Sequence, residues 1–190
     1  MAIKNKTRYA LLGVLCMKPC SGYDIKKFCD KTISHFWNEN FGHIYPVLKQ
    51  LLSENLIQLE DKEVTTDRRK IYSITAEGRQ EFYDWLVQAV ELQPPRSELL
   101  LKLSFGNYMP REKVSEMLKE VKVRNTCNLE QYKVLEEGYL KNEPAKKDPA
   151  FPYWLASLRL GILNAETAIR WCDETEQLFT LYKPETGRKV

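Results

Sequence analysis

One apolar stripe constrains this chain more than any other feature. Ile44, Val47, Leu48, Leu51 and Leu52 recur at i, i+3, i+4, i+7 and i+8, which lays one continuous face along a helix. Pro46 falls early in that helix, where its missing N–H is expected to cost little. The helix is the third of a closely spaced set. Thr7 to Met17 (TRYALLGVLCM) predicts a compact helix whose buried face carries Tyr9, Leu11, Leu12, Val14 and Leu15, and Pro19 closes it. Ser21 is a natural N-cap for a second helix over Gly22 to about Asp30, with Tyr23, Ile25 and Phe28 among its apolar positions.

After the stripe the period changes from helical to two. Ile57-Gln-Leu-Glu alternates, and so does Ile71 to Thr75, where Ile71 and Ser73 share one face and Tyr72 and Ile74 the other. The polar loop between them, Asp61 to Arg69, contains Lys62, Arg68 and Arg69. This is the pattern of a β-hairpin with a charged tip. Thr75 then caps a fourth helix, with Glu77 in its first turn and Phe82, Trp85, Leu86 and Ala89 as the expected buried stripe. Three short helices followed by a hairpin are the body of a winged helix-turn-helix.

Gln93-Pro-Pro-Arg96 breaks the fourth helix and marks a boundary, giving a winged-helix domain over residues 1–92 and a helical domain over 97–183. In the second, Ser97 caps a short apolar helix, Glu98 to Phe105. Pro110 opens a long one, with Val114, Met117, Leu118, Val121, Leu129, Tyr132 and Leu135 at helical spacing. Asn142 to Pro149 reads as a turn, and a last helix runs from about Phe151 to Leu181. Helices this long cannot bury their stripes on so small a domain, so a second copy related by a two-fold axis is the economical partner. The fold class is therefore mainly α: a winged helix-turn-helix plus a C-terminal helical dimerisation domain.

Bulk composition narrows the function classes. Of the 190 residues, 43% are hydrophobic and 29% charged, as in ordinary globular chains. No apolar run is long enough to span a membrane, and the start has no apolar signal segment, so a cytoplasmic protein is expected. Residues 1–80 hold 13 Lys/Arg against 9 Asp/Glu, so the small positive net charge resides in the part with the helix-turn-helix pattern. Only two histidines occur, His35 and His43, and GxSxG, P-loop, HExxH and dinucleotide fingerprints are all missing. Nothing points to an enzyme, a cofactor or a metal. Cys16, Cys20, Cys29, Cys127 and Cys172 form no CxxC pair and read as reduced, mostly buried thiols.

A helix-turn-helix reads duplex DNA by laying one helix in the major groove while flanking groups hold phosphates. The stripe assigns the other face of the third helix to the groove: Asn40, His43, Tyr45, Lys49 and Gln50. Arg68, Arg69 and Lys70 form a basic run that can reach a neighbouring backbone or the minor groove. Trp37, Trp85, Trp154 and Trp171, with ten tyrosines, supply material for an aromatic pocket between the two parts. Trp85, Trp154 and Trp171, with Arg96 as anchor, are the candidate effector contacts.

Ser21-Gly-Tyr-Asp-Ile25, Gly42-His-Ile-Tyr-Pro46, Leu48 to Ile57 (LKQLLSENLI), Tyr72-Ser-Ile-Thr-Ala-Glu-Gly78 and Arg96 to Leu103 (RSELLLKL) together resemble the PadR family of bacterial regulators. Within it, the chain is similar to the subgroup with a helical virulence-activator-type C-terminus. The resemblance implies a homodimeric repressor on a palindromic DNA operator, released by a small aromatic or drug-like molecule. It also implies that Tyr23 and Tyr45 touch phosphates. Two positions depart from the family pattern. His43 stands where a small hydroxyl residue is common, and Asn55 where glycine often ends the third helix, although Asn tolerates the left-handed conformation needed there. Two alternatives stay open: a winged helix that binds protein instead of DNA, and a regulator that responds to oxidation of Cys127 and Cys172.

Overall fold

A computed structural model describes residues 6–34, 36–60, 69–91 and 96–182. The chain divides into two compact units, Met1–Leu92 and Gln93–Val190.

The first unit runs α1 (Thr7–Met17), β1 (Cys20–Ser21), α2 (Gly22–Thr32), α3 (Phe41–Ser53), β2 (Ile57–Leu59), β3 (Ile71–Ile74) and α4 (Ala76–Leu86). Leu11, Leu12 and Leu15 of α1 meet Ile25 of α2, the striped face of α3 and Ile57 in a single core. Ser21 and Asp24 form a reciprocal capping box on α2: Ser21 Oγ accepts from the Asp24 N–H at 3.2 Å, and Asp24 Oδ2 accepts from the Ser21 N–H at 3.1 Å. α3 ends in a Schellman motif. The Leu56 N–H donates to the Leu51 carbonyl and the Asn55 N–H to that of Leu52, while Asn55 takes the left-handed φ of 56°. Asn55 therefore does here what glycine does in the family pattern.

The sheet has three antiparallel strands in the order β1-β3-β2. The hairpin register pairs Ile57 with Ile74 and Leu59 with Tyr72. Adjacent residues Tyr72 and Ser73 are both buried, because β3 is the central strand and is covered on both faces. The third strand, β1, was not expected. Cys20 pairs with Tyr72 and Ser21 with Ile71, which ties the start of α2 to the base of the hairpin.

Arg8 of α1 lies under this assembly. Its guanidinium reaches Glu54, just past α3, at 2.5 Å and Glu81 of α4 at 2.7 Å, and its side chain is only 12% exposed. α4 departs from expectation at its far end. Phe82 and Trp85 pack on the core, with Trp85 stacked on Tyr9 at 4.4 Å, but the helix stops at Leu86. Leu86 and Ala89, expected to be buried, are exposed. Beyond Trp85, Val87 and Val90 are exposed as well, and the contact recorded there is the ion pair of Glu91 with Lys6 at 3.0 Å. Pro46 is also placed differently. Asn40 caps α3, so Pro46 stands in the second turn and leaves the Gly42 carbonyl without its helical donor. Gly42 is exposed, so that carbonyl can turn to water.

The second unit comprises α5 (Glu98–Ser104), a 3-10 turn (Gly106–Tyr108), α6 (Arg111–Lys141), α7 (Glu143–Lys146) and α8 (Phe151–Leu181). The stretch 142–149, expected as a turn, contains the one-turn α7, because the Asn142 side chain accepts from the Ala145 N–H and caps it. α6 and α8 form an antiparallel pair cross-linked by Ser115–Glu176, Lys122–Asp173, Lys133–Glu166 and Arg159–Glu136. Their seam buries Val114, Leu118, Leu158, Ile162, Ala165 and Cys172. It leaves Val134, Tyr153, Leu160, Leu163 and Leu181 exposed. No helix among the described residues is long and apolar enough to cross a membrane.

Candidate nucleic-acid interface

The outward face of α3 presents Phe41, His43, Tyr45 and Lys49, all exposed. Their direction follows from the stripe: once Ile44, Val47, Leu48 and Leu51 are buried, the intervening residues must face out. Tyr45 leans over the start of α2. A Cβ on Gly22 would come within 2.9 Å of its ring, so the glycine makes room for that contact. Tyr23, Phe41 and Tyr45 form a stepped aromatic row, with centroids 6.5 Å apart for Tyr23–Phe41 and 5.9 Å for Phe41–Tyr45. The Lys26 ammonium sits 6.0 Å from the Phe41 ring while paired with Asp30.

The wing base joins this surface through β1. Because Ser21 pairs with Ile71, the preceding Lys70 emerges beside Gly22 and Tyr23. Asp24 reports the same proximity. Its carboxyl is held below the usual carboxylate range, chiefly by the hydrogen bond from Ser21, and Arg69 and Lys18 add to the effect. Burial, and after it the nearby Tyr45 phenol, raises the pKa of Tyr72. One surface thus gathers the N-terminus of α2, the outward face of α3 and the first described residues of the wing strand.

Of the residues proposed from sequence, Tyr23, His43, Tyr45, Lys49, Arg69 and Lys70 are exposed on these elements. Arg68 lies outside the described residues, as do Lys62 and His35. Asn40 is engaged differently: its Oδ1 accepts the His43 N–H at 3.1 Å and its amide nitrogen lies 3.4 Å from His43 Nδ1, so it starts the helix with both ends of its amide occupied. Gln50 is likewise committed, donating to Glu54 at 2.7 Å. Sequence reasoning passed over Phe41, Lys26 and Lys18, whose spacing carries no signal until α2 and α3 are seen side by side.

The effector candidates divide. Trp85 is stacked on Tyr9 within the core of the first unit, and Trp171 packs against Val114, Leu118 and Cys172 in the second. Trp154 is half-buried on α8 and Arg96 is exposed. All five cysteines are free thiols. Burial raises the pKa of four of them, Cys20 and Cys29 to about 11, which keeps those sulfurs protonated and slow to oxidise. Cys127 is exposed.

Comparison with known proteins places both units. Residues 11–84 match the model of the transcriptional regulator PadR-like family, and residues 95–180 match the virulence activator alpha C-term model. The negative transcriptional regulator PadR of Bacillus subtilis is 32% identical over 115 residues, a match spanning 60% of this chain and 63% of that protein. The structure of that protein with operator DNA superposes with a TM-score of 0.81 at 24% identity, covering 94% of this chain and 99% of that one. Its complex with p-coumaric acid gives 0.74 at 25% identity, covering 91% and 98%. The PadR-like regulator BC1756 of Bacillus cereus is 30% identical, with a TM-score of 0.74 over 92% of this chain and 99% of that one. With a relative at this identity matching along nearly its whole length, and a family model on each unit, the chain belongs to the PadR-like family of transcriptional regulators.

Proposed function

We propose that the first unit binds duplex DNA through one continuous surface: Tyr23 at the start of α2, His43, Tyr45 and Lys49 on α3, and Arg69 and Lys70 at the wing. The observation that carries this is the β1 seam, which brings the wing cations alongside the aromatic row. Aromatic hydroxyls and cations on one face suit phosphates on either side of a groove filled by α3. The second unit pairs two copies, placing two such surfaces on the half-sites of a palindromic operator, where the dimer acts as a repressor. The exposed apolar residues of α6 and α8 support that pairing, since a lone two-helix seam leaves them in water. The domain limits read from sequence, 1–92 and 97–183, carry these two tasks.

A small aromatic acid is the proposed releasing ligand, in keeping with the relative solved with p-coumaric acid. Trp85 and Trp171 serve their own cores, so Arg96 and Trp154 are the proposed anchors for it.

Arg69→Ala and Lys70→Ala test the DNA reading. Each is expected to weaken binding to every duplex alike and, because the dimer loses the contact twice, to flatten the dependence of log affinity on log salt by about two units. Titration by fluorescence anisotropy over a salt series reads both quantities. Losses that differ among operator variants would show these residues reading bases, and an unchanged slope would mean that neither side chain holds a phosphate.

A further inference from the structure

Phe41 opens α3 and stands on the proposed interface without a polar group on its side chain. It is the first residue of the helix after the Asn40 cap and is 43% exposed. It takes no part in the hydrophobic core of the first unit, which α3 enters through Ile44, Val47, Leu48 and Leu51. Its neighbours belong to the interface itself. Tyr23 and Tyr45 flank it with ring planes 14° and 21° from parallel, and both are at least half exposed. On the α2 side lies the Lys26 ammonium, 6.0 Å from the ring centroid and tied to Asp30. These contacts hold the ring in place and leave part of it in water.

An apolar ring gains from DNA only where it meets an apolar group. In the major groove the base edges present donors and acceptors, and thymine adds a 5-methyl group. Against a purely polar edge Phe41 would strip away water and return no hydrogen bond. Its place in the helix is suitable, since the N-terminal residues of a recognition helix are those that contact base edges. The tyrosines fix which part of the nucleotide the ring meets. Their phenols suit phosphates, and the centroid steps of 6.5 and 5.9 Å are close to the spacing of successive phosphates along a strand. A ring held between two phosphate contacts faces the nucleotide between them, and the thymine methyl lies on the backbone side of that base's major-groove edge.

We propose that Phe41 determines sequence specificity on this surface: it packs on the 5-methyl group of one thymine in each half-site and sets the preference for thymine there. The inference rests on the DNA-binding reading above.

The test uses the full chain and duplexes of the DNA upstream of its own coding sequence. Deoxyuridine replaces thymine at one pair of symmetry-related positions at a time, which removes the methyl and keeps every hydrogen-bonding group. Affinity is read by fluorescence anisotropy at fixed salt. One such duplex is expected to bind the native chain about fifteenfold more weakly, from about fourfold for each methyl withdrawn from contact. Phe41→Ala and Phe41→Ser, both at an exposed position outside the core, should bind the thymine and deoxyuridine duplexes equally at that position. Their salt slope should stay native, because no phosphate charge loses its partner.

A native chain with no methyl-sensitive position would overturn the proposal. So would a sensitive position that stays sensitive in both variants, since another side chain would then hold the methyl. Absence of duplex binding even at low salt would overturn the DNA reading and this inference with it.

Discussion

Gly78→Ala is expected to lower the stability of the first unit by about 3 kcal/mol or more, a large share of the total stability of a domain this size. Helix propensity alone argues the other way, since alanine inside a helix gains up to about 1 kcal/mol over glycine. The neighbour decides the sign. A Cβ on Gly78 would lie 1.9 Å from the Leu56 carbonyl oxygen and 2.8 Å from its carbon. These are backbone atoms at the end of the α3 Schellman turn, and they cannot swing aside as a side chain can. The same carbonyl accepts the Thr75 N–H at 3.1 Å, and Thr75 Oγ1 donates to the Asn55 carbonyl at 2.9 Å. Withdrawing α4 to make room would break both bonds and open the Phe82 and Trp85 contacts. Thermal unfolding followed by circular dichroism reads the loss. A midpoint equal to or above that of the native chain would mean that α4 does not cross Leu56 at this distance.

Arg8→Ala is expected to cost about 3 kcal/mol, at the lower end of the range for breaking a buried ion pair, because both carboxylates keep some access to water. Glu54 and Glu81 are 34% and 29% exposed, against 12% for Arg8. The guanidinium is the tie between α1, the end of α3 and α4. Without it two carboxylates face each other across a shared site, while the lost alkyl stem removes packing as well. Arg8→Met separates the parts, since it keeps the stem and loses the charge. Denaturant titration should find it destabilised too, by less than Arg8→Ala. If Met and native proteins unfold at the same midpoint, the ion pairs contribute nothing net and the arginine acts through packing alone.

Much of the architecture was legible because long apolar periodicities leave little choice. Pro19 ends α1 one turn after its stripe, and the caps Ser21, Thr75 and Ser97 mark helix starts that the structure keeps. Asn55 was readable as a left-handed turn for a similar reason: few other residues fit there. Illegible features depended on contacts between distant segments. β1 is two residues long, too short for any period, and exists only because β3 has a free edge beside the start of α2. Periodicity named a face for Leu86 and Ala89 but could not say that both stay exposed among the described residues. Nothing in the sequence around Gly78 announces the Leu56 carbonyl that lies against it in the fold. Glu39 carries no sequence signal, and only the fold buries it beside Trp37, whose indole N–H it accepts.

The central claim is that this surface binds duplex DNA as part of a paired molecule. It is tested most directly by fluorescence-anisotropy titration against the DNA upstream of the chain's own coding sequence, at several salt concentrations, with light scattering for mass. If Lys49, Arg69 and Lys70 of two copies each neutralise a phosphate, log affinity should fall against log salt with a slope of about −5, for a species of twice the chain mass. A folded protein whose binding to duplex is unchanged by salt, or that binds none of the upstream DNA at low salt, would contradict the account.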